Sequence, residues 1–84
     1  MAQRAGFVHL VMHGMAENVV IIANGRKVET TMPCSIEQFL VNQGLLPRSV
    51  VVEHNGEAVA PSEFARRNIA AGDRLEIVKI VAGG

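Results

Sequence analysis

The stretch VVIIANGRKVETTMPCSIEQFLVNQ, residues 19–43, changes its hydrophobic period once, and that change decides the fold. Residues 19–23 are a continuous apolar, mostly β-branched run. Asn24-Gly25 readily takes the positive φ angles of a tight turn, and RKVETT then mixes apolar with polar residues, so a β-hairpin is predicted. Pro33 has no N–H to give to a ladder and ends the second strand. Ser35 follows as a helix N-cap with Gln38 at capping-box spacing, and Ile36, Phe39 and Leu40 fall at i, i+3, i+4. The period has become that of a helix, predicted over residues 35–43.

Gly44 stands where a left-handed residue closes a helix, with Leu45 placed to fold back on Leu40 and Pro47 blocking continuation. A helix this short is marginal alone in water, so its apolar stripe needs a sheet to cover it. The rest of the chain supplies strands. SVVVEH (49–54) reads as a strand, Asn55-Gly56 as a second turn, and EAVA as a short strand ended by Pro61. PSEFARRNIAAGD is irregular, with Phe64 and Ile69 as plugs into the core. Gly72-Asp73 turns the chain into the last strand, RLEIVKIVA. Strand, strand, helix, strand, short strand, strand is the order of a β-grasp domain: an α+β fold with a mixed sheet of four to five strands on one main helix.

Composition narrows the partners. The 84 residues make one small domain, with eight basic residues against eight acidic ones and no run of either sign. The field that steers a protein to nucleic acid or anionic lipid is therefore missing. Phe7, Phe39 and Phe64 are the only aromatics, which removes the stacking platform of single-strand binders. Cys34 is the single cysteine, which excludes an internal disulfide and points to a reducing, cytoplasmic setting. The N-terminal apolar stretch, broken by His9, is too weak for a signal peptide, and no segment approaches a membrane span.

In a two-layer domain each strand should alternate apolar and polar residues, yet two strands here do not. In the last strand Leu75 and Ile77 are assigned to the helix side, while Val78 and Ile80 point the other way beside Arg74 and Glu76. VVIIA is also apolar on both sides. With the first and last strands as central neighbours, their surplus apolar side chains are expected to form a stripe on the uncovered face. We read Val78 and Ile80 as a partner-docking patch leading to the terminal glycines.

The stretch VVVEHNGEAVAPSEF, the Gly-Asp turn and the ending LEIVKIVAGG together resemble the sulfur carrier proteins of thiamine-thiazole biosynthesis, a ubiquitin-like β-grasp family (the ThiS family) that ends in Gly-Gly. The resemblance covers about residues 18–84 and includes the ANG hairpin and the S-I-x-x-F-L helix start; residues 1–17 form an extension outside it. The small subunit of molybdopterin synthase shares fold and ending but tends to carry prolines before its last residues. KIVAGG has none, which favours the thiazole branch.

The resemblance implies a protein cosubstrate and not an enzyme, acted on at Gly84 by a ubiquitin-activating-type adenylyltransferase. A persulfide donor protein would supply the sulfur and thiazole synthase would receive it. No cofactor is expected to be held permanently; ATP and Mg belong to the adenylating partner. The chemistry of the ending agrees. A terminal carboxylate, with a pKa of about 3.3–3.7, is an anion at neutral pH and a poor electrophile. It must become an acyl-adenylate before a persulfide sulfur can displace AMP and leave a thiocarboxylate. Gly83 and Gly84 would form a thin arm without Cβ groups, joined to the strand by the small Ala82. The sequence stops at Gly84, so no protease is expected to be needed to expose that arm.

Other candidates are weaker. Cys34 lies directly before the N-cap and reads as a small buried or half-buried residue rather than a sulfur-bearing thiol. His9 and His13 have i, i+4 spacing but no third ligand nearby, so no metal site is assigned. Arg66-Arg67 reads as a solvated loop pair and His54 as a strand-end residue. Two alternatives stay open: sulfur delivery to molybdopterin or another metabolite, and a ubiquitin-like modifier joined through Gly84 to lysines of target proteins.

Overall fold

The computed structural model describes residues 16–81. Five strands, β1 (Glu17–Ala23), β2 (Arg26–Met32), β3 (Val50–His54), β4 (Glu57–Val59) and β5 (Arg74–Lys79), form one sheet in the order β2-β1-β5-β3-β4, and the helix α1 (Ile36–Asn42) covers one face. Only the central pair β1–β5 is parallel; the other three pairings are antiparallel. Among the described residues this is the mixed sheet covered by one α-helix of the β-grasp fold. Glu17, the last residue of the expected extension, already lies in β1, paired with Met32.

Local sequence signals explain the elements. Asn24 (φ 51°) and Asn55 (φ 53°) both take the left-handed conformation that a two-residue Asn-Gly turn requires. Ser35 caps α1, its side-chain oxygen accepting from the Gln38 N–H at 3.0 Å. The expected capping box is only half made, because the Gln38 amide donates forward to Asn42 Oδ1 at 3.0 Å. At the other end Gly44 (φ 77°) donates to the Val41 carbonyl and Leu45 N–H reaches back to the Leu40 carbonyl, which is a Schellman closure.

The core lies between α1 and the sheet. Ile36, Phe39 and Leu40 from the helix meet Ile21, Val52 and Leu75 from the three central strands. Phe64 and Ile69 plug the core from the irregular segment, as their apolar character in a polar stretch suggested. That segment is tied down by bonds from the Ile36 N–H to the Arg67 carbonyl and from the Ile69 N–H to the Cys34 carbonyl. Cys34 itself is buried.

The expected stripe on the open face does not run across β1 and β5. The parallel register joins Ile22 to Arg74 and Ala23 to Leu75, so Val20 lies level with the Gly72 turn. Val78 lies further along β5, and its cross-strand partner is Val51 of β3. Among the described residues the apolar side chains of β1 and of β3–β5 on this face therefore fall into separate groups, with Arg74 and Glu76 between them.

Candidate functional site

The element that leads to the predicted site is β5, and it is held on both edges. On the β3 side it pairs over five residues, from His54↔Leu75 to Val50↔Lys79, and the Ile80 N–H adds one more bond to the Ser49 carbonyl at 2.8 Å. On the β1 side the ladder is short, and Asn24 extends it. Its backbone N–H donates to the Leu75 carbonyl, and its side-chain amide then bonds both groups of Ile77, accepting from the N–H at 2.7 Å and donating to the carbonyl at 3.0 Å. The amide stands in for the next peptide unit of β1. Asn55 does the same for the start of β5, where its Oδ1 accepts from the Arg74 N–H at 2.8 Å. Two Asn-Gly turns, chosen for their φ angles, thus also clamp the last strand by their side chains.

A part-buried polar cluster centred on His54 locks the segment that precedes β5. His54, only 7% exposed, has both ring nitrogens engaged: Nε2 lies 2.7 Å from Asp73 Oδ2, and Nδ1 accepts from Arg67 Nε at 3.0 Å. Because Arg67 can only donate, the ring proton sits on Nε2 and points at Asp73. Asp73 also accepts from the Ala70 N–H and from the Asn55 amide. Burial pushes the Asp73 carboxyl up, but the hydrogen bonds from His54, Ala70 and Asn55 outweigh it and leave it below its ordinary value. Arg67 goes on to pair with Glu57, and the hydrogen bond and charge of the guanidinium lower the Glu57 carboxyl. His54 ends β3, as the sequence suggested, and is also buried there between two charged partners. The reading of Arg66-Arg67 as a solvated pair is corrected for Arg67, which bonds His54 and Glu57, while Arg66 remains exposed.

The predicted docking residues are exposed, Val78 at 61% and Ile80 at 57%, whereas Leu75 is fully buried and Ile77 half-buried, which is the register expected for β5. Val51 sits opposite Val78 and is similarly exposed, and Leu46 joins Ile80 around a shallow groove. Sequence reading passed over both, although the VVV run of β3 must put its middle residue on the open face. The Ala82, Gly83 and Gly84 predictions lie outside the described residues, as do His9, His13 and residues 1–15 of the extension. Among the described residues no group of three or more His, Cys, Asp and Glu side chains is placed to hold a metal ion. No helix among the described residues is long and apolar enough to cross a membrane.

The sequence profile of the ThiS family matches residues 15–84. A thiazole synthase of Paramagnetospirillum magneticum is 34% identical over 64 residues, which are 76% of this chain; the chain spans 20% of that protein's length. The crystal structure of the thiamine biosynthesis protein ThiS from Geobacter metallireducens superposes with a TM-score of 0.69 over 79% of this chain and all of that one, at 22% identity, and so shares the fold. With a profile match that runs through β1, α1 and β5 to the closing glycines, the chain belongs to the ThiS family.

Proposed function

We propose that this chain is a sulfur carrier whose Gly84 carboxylate is activated by a partner and loaded with sulfur for thiazole formation. The observation that carries the reading is the way β5 is held. Both of its edges are bonded as far as Ile77, and the β3 edge as far as Ile80. Val81 is followed by Ala82, Gly83 and Gly84. A firmly registered strand followed by residues without bulky side chains suits an arm that must enter a narrow adenylating site.

The steps balance without a side chain of this protein. The carboxylate oxygen attacks the α-phosphorus of ATP, and pyrophosphate leaves. The terminal sulfur of a persulfide then attacks the acyl carbon and AMP leaves, which gives an acyl disulfide. A second thiol cleaves its S–S bond, is itself oxidised to a disulfide, and leaves a thiocarboxylate on Gly84. A ubiquitin-activating-type adenylyltransferase would perform the first step, with ATP and Mg bound by that partner. A persulfide donor protein would serve the second, and thiazole synthase would accept the sulfur. Val78 and Ile80, with Val51 beside them, would dock the adenylating partner.

Partner-dependent exchange of pyrophosphate into ATP tests the role of Gly84. The chain as it stands should support exchange. Deletion of Gly84, or one added residue after it, should lower the rate on the order of 100-fold, because misplacing a reacting group by about 1 Å already has that effect. Normal exchange by both altered chains would overturn the mechanism.

A further inference from the structure

Among the described residues the β1 edge of β5 is open beyond Ile77. β1 ends at Ala23 and turns away at Asn24-Gly25, and the Asn24 amide makes the last bonds on this side. Alternation along β5 sends the backbone groups of Leu75 and Ile77 to this edge and the Ile80 N–H to the opposite edge, where it meets Ser49. Lys79 therefore directs its N–H and carbonyl to the same edge as Ile77, and among the described residues no strand lies beside it. An uncovered edge of this kind is a template for strand addition.

A groove adjoins that edge. Its floor is apolar, from Val28, Phe39, Leu45 and Ile77, and the exposed Arg26 and Lys79 also line it, with no carboxylate among the described lining residues. Among the described residues neither cation has an ion-pair partner. Backbone edge, apolar floor and two cations together define the shape and charge of one kind of occupant.

We propose that this groove receives an extended, acidic segment of the adenylating partner. The segment adds as a strand beside Lys79, lays an apolar side chain over Phe39 and Leu45, and sets a carboxylate between Arg26 and Lys79. The inference takes its partner from the carrier reading, but it concerns an edge and a face that Val78 and Ile80 do not share.

The test uses the full chain and the adenylyltransferase of the same cell as the probe. Calorimetry gives Kd for the unaltered chain, for Arg26→Gln/Lys79→Gln and for Arg26→Glu/Lys79→Glu, and amide hydrogen exchange is followed at Ile77 and Lys79. The charge reversal should weaken binding on the order of 10-fold or more, with the glutamine pair between, and should leave the melting temperature unchanged because both side chains are exposed. The Lys79 amide should exchange quickly in the free chain and slowly in the complex, while Ile77, already bonded to Asn24, changes little. An unchanged Kd, or a Lys79 amide still fast in the complex, overturns the inference. So does slow Lys79 exchange in the free chain, which would mean a segment of this chain occupies the edge, or a second copy if the slowing grows with concentration. Loss of binding in Ile80→Ser with no effect of the reversal refutes the groove and leaves the carrier reading standing; no binding by the unaltered chain overturns both.

Discussion

Replacing Asn24 should loosen β5 more than its exposed position suggests. Asn24→Gly keeps the left-handed turn without strain and removes only the two side-chain bonds to Ile77. Each such bond has a net worth of about 0.5–1.5 kcal/mol, and water can reach this exposed site, so a loss of about 1–2 kcal/mol is expected. Asn24→Ala removes the same bonds and also forces a residue with a plain Cβ to hold φ near 51°, which adds about 1–2 kcal/mol. Asn24→Asp keeps the acceptor for the Ile77 N–H but turns a carboxylate toward the Ile77 carbonyl, and should fall between the glycine variant and the alanine variant. Urea denaturation gives the three stabilities, and exchange of the Ile77 amide reports the clamp directly. An Ile77 amide equally protected in Asn24→Gly and in the unaltered protein would refute the idea that the side chain extends β1.

Two further substitutions separate core from surface on β5. Leu75→Ala should destabilise the domain by about 2–5 kcal/mol, because the side chain is fully buried, whereas Ile80→Ser should change stability by no more than about 0.5 kcal/mol; thermal melts of both check the register. Acid should release the Asp73 cluster. The folded carboxyl lies below its unfolded value of about 3.8, so its contribution is fully present above that value and disappears as pH falls below about 4 through the folded value. Asp73→Asn should flatten this part of the stability profile, and it sets an amide against the donors of His54, Ala70 and Asn55.

The hairpin and α1 were legible because their signals are local: Asn24-Gly25 at the turn, Ser35 and Gln38 at the cap, Gly44 and Leu45 at the closure. Burial of Phe64 and Ile69 was legible for the same reason, being apolar residues in a polar stretch. The His54, Arg67 and Asp73 cluster was not, since its members are 13 and 19 residues from the histidine and meet only after the sheet has formed. The open face was misread through register. Two apolar strands side by side were expected to align their surplus valines and isoleucines, but the parallel offset that pairs Ile22 with Arg74 gives Val78 to Val51 instead. Polarity along a strand fixes which face a residue takes, and register fixes its neighbour.

The most direct test of the carrier reading is the intact mass of the protein isolated from its native cell. A thiocarboxylate at Gly84 predicts a fraction of chains heavier by the exchange of one oxygen for sulfur, with the change confined to the C-terminal peptide and lost when the adenylating partner is absent. Chains joined through Gly84 to lysines of other proteins, with no sulfur-bearing form, would contradict it.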